Sequence, residues 1–226
     1  MPAGLSDKSK RQAYVKREPY MDTWVANVSP DQVLDGYTMH KGKFLFVWIN
    51  KTAGVSVNRA LGINKDLYNH YTAMELRDIV GAAAFGNMFK FCFVRNPWDK
   101  VVSEFRFRIW TYQNELTSDA SFAEWVRLAY VDKDSRYHDW PKMFLPQLEW
   151  ITDEEGRIAV DFVGRFENLQ NDFDIVCGAI KIGRQPLCHE NRSRETGRYR
   201  SYYDSETKAI VEELFKADIE YFGYEF

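Results

Sequence analysis

The chain is poor in residues that build covalent or metal frameworks. Its three cysteines, Cys92, Cys177 and Cys188, are an odd number without paired spacing, which argues against a disulfide scaffold or a zinc site and for isolated thiols. Apolar runs long enough to span a bilayer are missing, and the start is polar rather than a basic stub followed by an apolar block. The expectation is a soluble chain without membrane insertion. A surplus of either charge is also missing, since 30 Lys+Arg stand against 33 Asp+Glu. No whole-molecule field then draws the protein to nucleic acid or an anionic surface, so any anion it binds must be held locally. Internal repeats and low-complexity tracts are lacking as well.

What is present is apolar mass: 45% hydrophobic and 16% aromatic residues in 226, enough for one substantial core but short for two catalytic domains. Residues 1–43 show no sustained period and cluster Lys8, Lys10, Arg11, Lys16 and Arg17, as in an N-terminal extension. The domain proper is read as 44–226. Segments 44–49, 89–94 and 160–163 are short apolar runs of the kind found in strands buried on both faces.

Helical patterns lie between and after them. Thr72 with Glu75 forms a capping box ahead of Leu76, Ile79, Val80 and Ala83. Asn96 before Pro97, with Asp99 behind, opens a helix whose stripe is Val101, Val102, Phe105 and Ile109. Ile210, Val211, Leu214, Phe215 and Ile219 predict one docked C-terminal helix stopping before Gly223. This alternation predicts an α/β fold with a parallel sheet and crossover helices, which places ligands at the carboxyl ends of strands. Residues 114–157 are less regular, with a short helix expected at 122–128 and a turn at 153–156; a lid or acceptor-binding insertion is expected there.

Two strand-to-helix junctions carry the chemistry. The first reads Asn50-Lys51-Thr52-Ala53-Gly54-Val55-Ser56. Such a junction aims backbone amides at an anion, Lys51 adds charge, Thr52 and Ser56 add hydroxyls, and Gly54 permits close backbone approach. It is not the ATP-type loop, in which lysine follows the glycines, and a plain turn is its bland alternative. The second reads Val94-Arg95-Asn96-Pro97-Trp98-Asp99, with Ser103 about two turns into the helix. Arg95 and Ser103 can converge on one phosphate through a planar fork of donors and a hydroxyl, although an isolated arginine is more often a surface charge.

Taken together these segments resemble the carbohydrate-type sulfotransferases, in which a strand ends in Pro-Lys-Thr-Gly-Gly-Thr-Ser and a later one in Val-Arg-Asn-Pro-Tyr/Trp-Asp-Arg, with Val-Ser following. Further matches are Pro146-Gln147, the run 161–169, Tyr202-Tyr203-Asp204 and Phe222-Gly223. Asn50, Ala53 and Val55 depart from the usual Pro, Gly and Thr.

The resemblance implies a P-loop NTPase-like three-layer fold with a central parallel sheet flanked by helices. It implies the donor 3′-phosphoadenosine 5′-phosphosulfate, the product 3′-phosphoadenosine 5′-phosphate, no metal, and a hydroxyl-bearing acceptor such as a glycan. Lys51, Thr52, Ala53, Gly54, Val55 and Ser56 would hold the 5′-phosphosulfate, Arg95 and Ser103 the 3′-phosphate. A basic loop over the nucleotide would draw on Ser193, Arg194 and Arg198.

The chemistry needs a base and a charge at the departing oxygen. Lys51 suits the second role. For the base, His70 stands out among His40, His70, His138 and His189, because it precedes the Thr72 cap and the helix's positive end would keep it neutral; a structural histidine is its alternative. Glu104, Arg106 and Arg108 could touch the acceptor or form a solvated helix face. Seven Trp and thirteen Tyr could stack on sugars but mostly build cores. A kinase of similar architecture and a silent nucleotide- or glycan-binding module are the rival readings. Glycosylation acceptor patterns at Asn50 and Asn191 fall inside the nucleotide loops, where a glycan would block the site, so a cytoplasmic protein is expected.

Overall fold

Three parallel strands form the sheet in this computed structural model, which describes residues 43–63, 70–187 and 198–226. They are β1 (Phe44–Val47), β2 (Phe89–Val94) and β3 (Phe162–Arg165), with β2 in the middle. Phe44 pairs with Phe89 and Phe91 with Phe162. Phe44, Phe46, Phe91 and Phe93 are all fully buried, and Phe46 stacks on Phe91 with centroids 5.0 Å apart. Apolar residues on both faces are what a sheet covered by crossover helices demands. At Gly164 an added Cβ would meet the Phe93 ring at 2.5 Å, so only glycine lets β3 approach that phenylalanine.

Helix α1 (Gly54–Ala60) follows β1, α2 (Ala73–Val80) and α3 (Ala82–Asn87) lead to β2, and α4 (Pro97–Thr111) leaves it. After α5 (Phe122–Val126) the chain returns through β3 to α6 (Leu169–Ala179), then ends in α7 (Ser205–Leu214) and α8 (Lys216–Phe222). The capping box is present, with Glu75 N–H donating to Thr72 and Thr72 N–H to Glu75. Asn96 caps α4 by accepting from Trp98 and Asp99.

Three expectations need correction. The helix from Thr72 stops at Val80, because Gly81 sits at φ 85, and Ala83 belongs to α3, where it is exposed. The third strand begins at Phe162 rather than 160, since Asp161 instead ties its carboxylate to the Lys90 amide and ammonium. The C-terminal stripe bends at Phe215 (φ −108, ψ 21) into α7 and α8. The α5 segment continues as a wider turn over Arg127–Val131, and the turn at 153–156 forms with Gly156 at φ 77. Among the described cysteines, Cys92 and Cys177 are free and buried.

Candidate anion-binding site

The loop after β1 is shaped by its own residues before any ligand enters. Lys51 and Ala53 take left-handed backbones at φ 65 and 70, and the Thr52 hydroxyl donates to the Ile49 carbonyl at 2.8 Å. Thr52, expected as a phosphate donor, therefore spends its O–H on bracing the turn. Gly54 is demanded by Trp48, whose indole Nε1 would lie 1.8 Å from an added Cβ. Asn50 is 3% exposed and donates to the Met143 carbonyl at 3.1 Å, while its Oδ1 has no partner. Ser56 is half-buried and Val55 exposed on α1.

The Lys51 ammonium lies 3.8 Å above the Phe107 ring. Burial pushes its pKa down to about 8; Glu104 opposes the shift, and Arg95, Lys100 and Arg108 reinforce it. A lysine in this state keeps its proton at neutral pH but holds it loosely.

Arg95 joins the two junctions. Its guanidinium pairs with Asp99 at 2.9 Å and donates to the Lys51 carbonyl at 3.1 Å, while its carbon sits 3.9 Å above the Phe166 ring. Burial lowers its pKa, with Asp99 opposing and Arg106 adding to the fall. Asp99, Ser103 and Arg106 are spaced to share one face of α4, and Ser103 is half-buried there. Beside them a cleft of about 320 Å³ is lined by Arg106, Arg198, Ser201 and Tyr202. The structure thus brings Arg198 to α4, whereas Ser193 and Arg194, with Asn191, Arg192 and His189, lie outside the described residues.

His70 is enclosed by Trp48, Trp140 and Trp150, with ring centroids at 4.4, 5.8 and 6.3 Å. Its Nδ1 is 2.8 Å from the Trp48 carbonyl. A carbonyl only accepts, so Nδ1 carries the proton and Nε2 is left as the acceptor. Burial lowers its pKa to about 4, against the Trp48 bond and Glu104, which favour the charged form. Burial is what favours the neutral imidazole, whereas the helix end invoked from sequence is already satisfied by Glu75.

Sequence reasoning missed a buried charge network on α4. Glu104 and Arg108 are 6% and 2% exposed, not a solvated face. Glu104 accepts from Arg108 at 3.0 Å, and Arg108 reaches Asn114 and Asp139 at 2.8 Å. Lys100, 1% exposed, has its pKa lowered by burial to about 8. Burial would raise the Glu104 carboxyl, but Arg108, Lys51 and Lys100 outweigh it and hold it below the ordinary value. The spacing 100, 104, 108 was the available signal. One four-residue period of charges beside an apolar stripe reads equally as a wet face.

A parallel sheet that delivers two basic junctions to adjacent strand ends defines an α/β protein of the phosphate-loop type. The chain belongs to the sulfotransferase family, whose sequence profile matches residues 37–225. It is also similar to an uncharacterized protein of Archaeoglobus fulgidus, at 31% identity over 112 residues covering 49% of this chain and 82% of that one. No solved structure matches it. The family carries sulfuryl transfer, hence a transferase with a hydroxyl-bearing acceptor. Among the described residues no helix is long and apolar enough to cross a membrane.

Proposed function

We propose that this chain moves a sulfuryl group from 3′-phosphoadenosine 5′-phosphosulfate to a hydroxyl on a carbohydrate or other small alcohol, by in-line displacement. The observation that supports it most is the Arg95–Lys51 link at 3.1 Å, which sets two cations at neighbouring strand ends. In this reading Lys51 to Ser56 surround the 5′-phosphosulfate, Arg95 and Ser103 meet the 3′-phosphate with Arg198 nearby, and residues 114–157 help shape the acceptor pocket.

The acceptor oxygen bonds to sulfur as the bond from sulfur to the phosphate oxygen breaks. His70 Nε2 takes the acceptor's proton, and Lys51 meets the negative charge on the departing oxygen. A base with a pKa near 4 returns its proton to water readily after each turnover. A cytoplasmic setting agrees with the burial of Asn50, since a glycan there could not coexist with this loop.

Calorimetry with 3′-phosphoadenosine 5′-phosphate against ATP plus magnesium, followed by transfer of labelled sulfate to an acceptor panel, tests the proposal. Binding of the first nucleotide and label on a hydroxyl are expected. Preference for ATP, or binding without transfer to any acceptor, would overturn it.

A further inference from the structure

We infer that Gln147, locked in place by Asp218, is a positioning residue for the Arg95 clamp, and that through it the chain discriminates nucleotides with a 3′-phosphate from those without one. This rests on the assignment of Arg95 to the 3′-phosphate made above.

Strand pairing ends at Val94 with Arg165, so the Arg95 peptide stands one residue past the ladder. Gln147 takes the place of the missing rung. Arg95 N–H donates to Gln147 Oε1 at 2.8 Å, and Gln147 Nε2 donates to the Arg95 carbonyl at 2.8 Å. The amide has one possible orientation, because Nε2 also faces the Asp218 carboxylate at 3.3 Å and Oε1 faces a donor. Asp218, from α8, further accepts from the Gln147 and Leu148 amides at 2.7 and 2.9 Å. Both side chains are fully buried. The next residue is fixed too, as Asn96 N–H donates to Glu167 at 2.7 Å.

Burying a carboxylate and an amide costs solvation that an apolar filler would avoid. Here that cost secures the single peptide that carries the clamp arginine. A guanidinium can discriminate a phosphate only if its backbone is held to a fraction of an ångström. Gln147 holds the main chain while Asp99 and the Lys51 carbonyl hold the side chain.

The test compares binding of 3′-phosphoadenosine 5′-phosphate and adenosine 5′-phosphate to the full chain and to R95A, Q147A and Q147E. Wild type is expected to prefer the first ligand. R95A and Q147E should lose about tenfold of that preference, the value of one charge-assisted hydrogen bond. In Q147E the preference, taken relative to wild type at each pH, should return on acidification. The introduced carboxyl then regains a donor opposite Asp218 and the Arg95 carbonyl. A role in structure alone would weaken both ligands alike and show no acid recovery, and that result sinks the proposal. So does a retained preference in Q147E while R95A loses it. A retained preference in R95A overturns the assignment of Arg95 itself. Should Q147A not fold, Q147E, which preserves the side chain's size, decides the matter.

Discussion

At the residue scale the candidate site holds two groups, Lys51 and His70, whose proton affinities burial has lowered. Lys51 titrates near pH 8, so its charge is present below that pH and lost as pH rises through it. Affinity for 3′-phosphoadenosine 5′-phosphate should therefore fall above pH 8. Because a bound anion favours the charged lysine, binding near pH 8 should take up a proton. Titration calorimetry in buffers of different ionisation enthalpy reads that uptake, and buffer-independent heats would remove Lys51 from the phosphate. His70, neutral above about pH 4, should give no activity limb near the usual imidazole range. H70A should lower kcat by about 10²–10⁴ while leaving nucleotide binding intact; equal loss of both would assign it a structural role instead.

At the element scale the loop after β1 is a folding problem before it is a binding one. Trp48 lies over Gly54 closely enough that a Cβ would sit 1.8 Å from its indole nitrogen. G54A should destabilise the protein by about 1–3 kcal/mol, as overpacked sites do, and the penalty should shrink in a W48A background. Thermal denaturation of the single and double variants measures the coupling. If the penalty persists without Trp48, the loop's own backbone and not the indole requires glycine.

At the scale of the whole molecule, α4 binds the sheet junctions to residues 114–157 through buried charges. Asn50 approaches Glu104 at 3.5 Å, Glu104 meets Arg108, and Arg108 meets Asn114 and Asp139. Removing one partner strands the others, so E104A should cost about 3–5 kcal/mol, whereas E104A combined with R108L should cost less than the sum. The Glu104 carboxyl titrates below its unfolded value. Its stabilisation is thus present above the unfolded pKa and lost as pH falls through the folded one. E104Q should flatten the acid limb of stability measured by denaturant unfolding; an unchanged limb would show that Glu104 does not drive it.

The sequence by itself determined the alternation of strands and helices, the Thr72 and Asn96 caps, and the two basic junctions. Each depends on residues within a few positions of one another, where periodicity and capping chemistry act directly. Only the tertiary structure decided which charges are buried and what holds the Arg95 peptide. Lys100, Glu104 and Arg108 look solvated until residues 114–157 and the C-terminal segment close over α4. Gln147 meets Arg95 from 52 residues away and is itself held by Asp218 of the last helix, and no local pattern encodes a contact between segments so far apart. The same reason moves the explanation for neutral His70 from a nearby helix end to the tryptophans that enclose it.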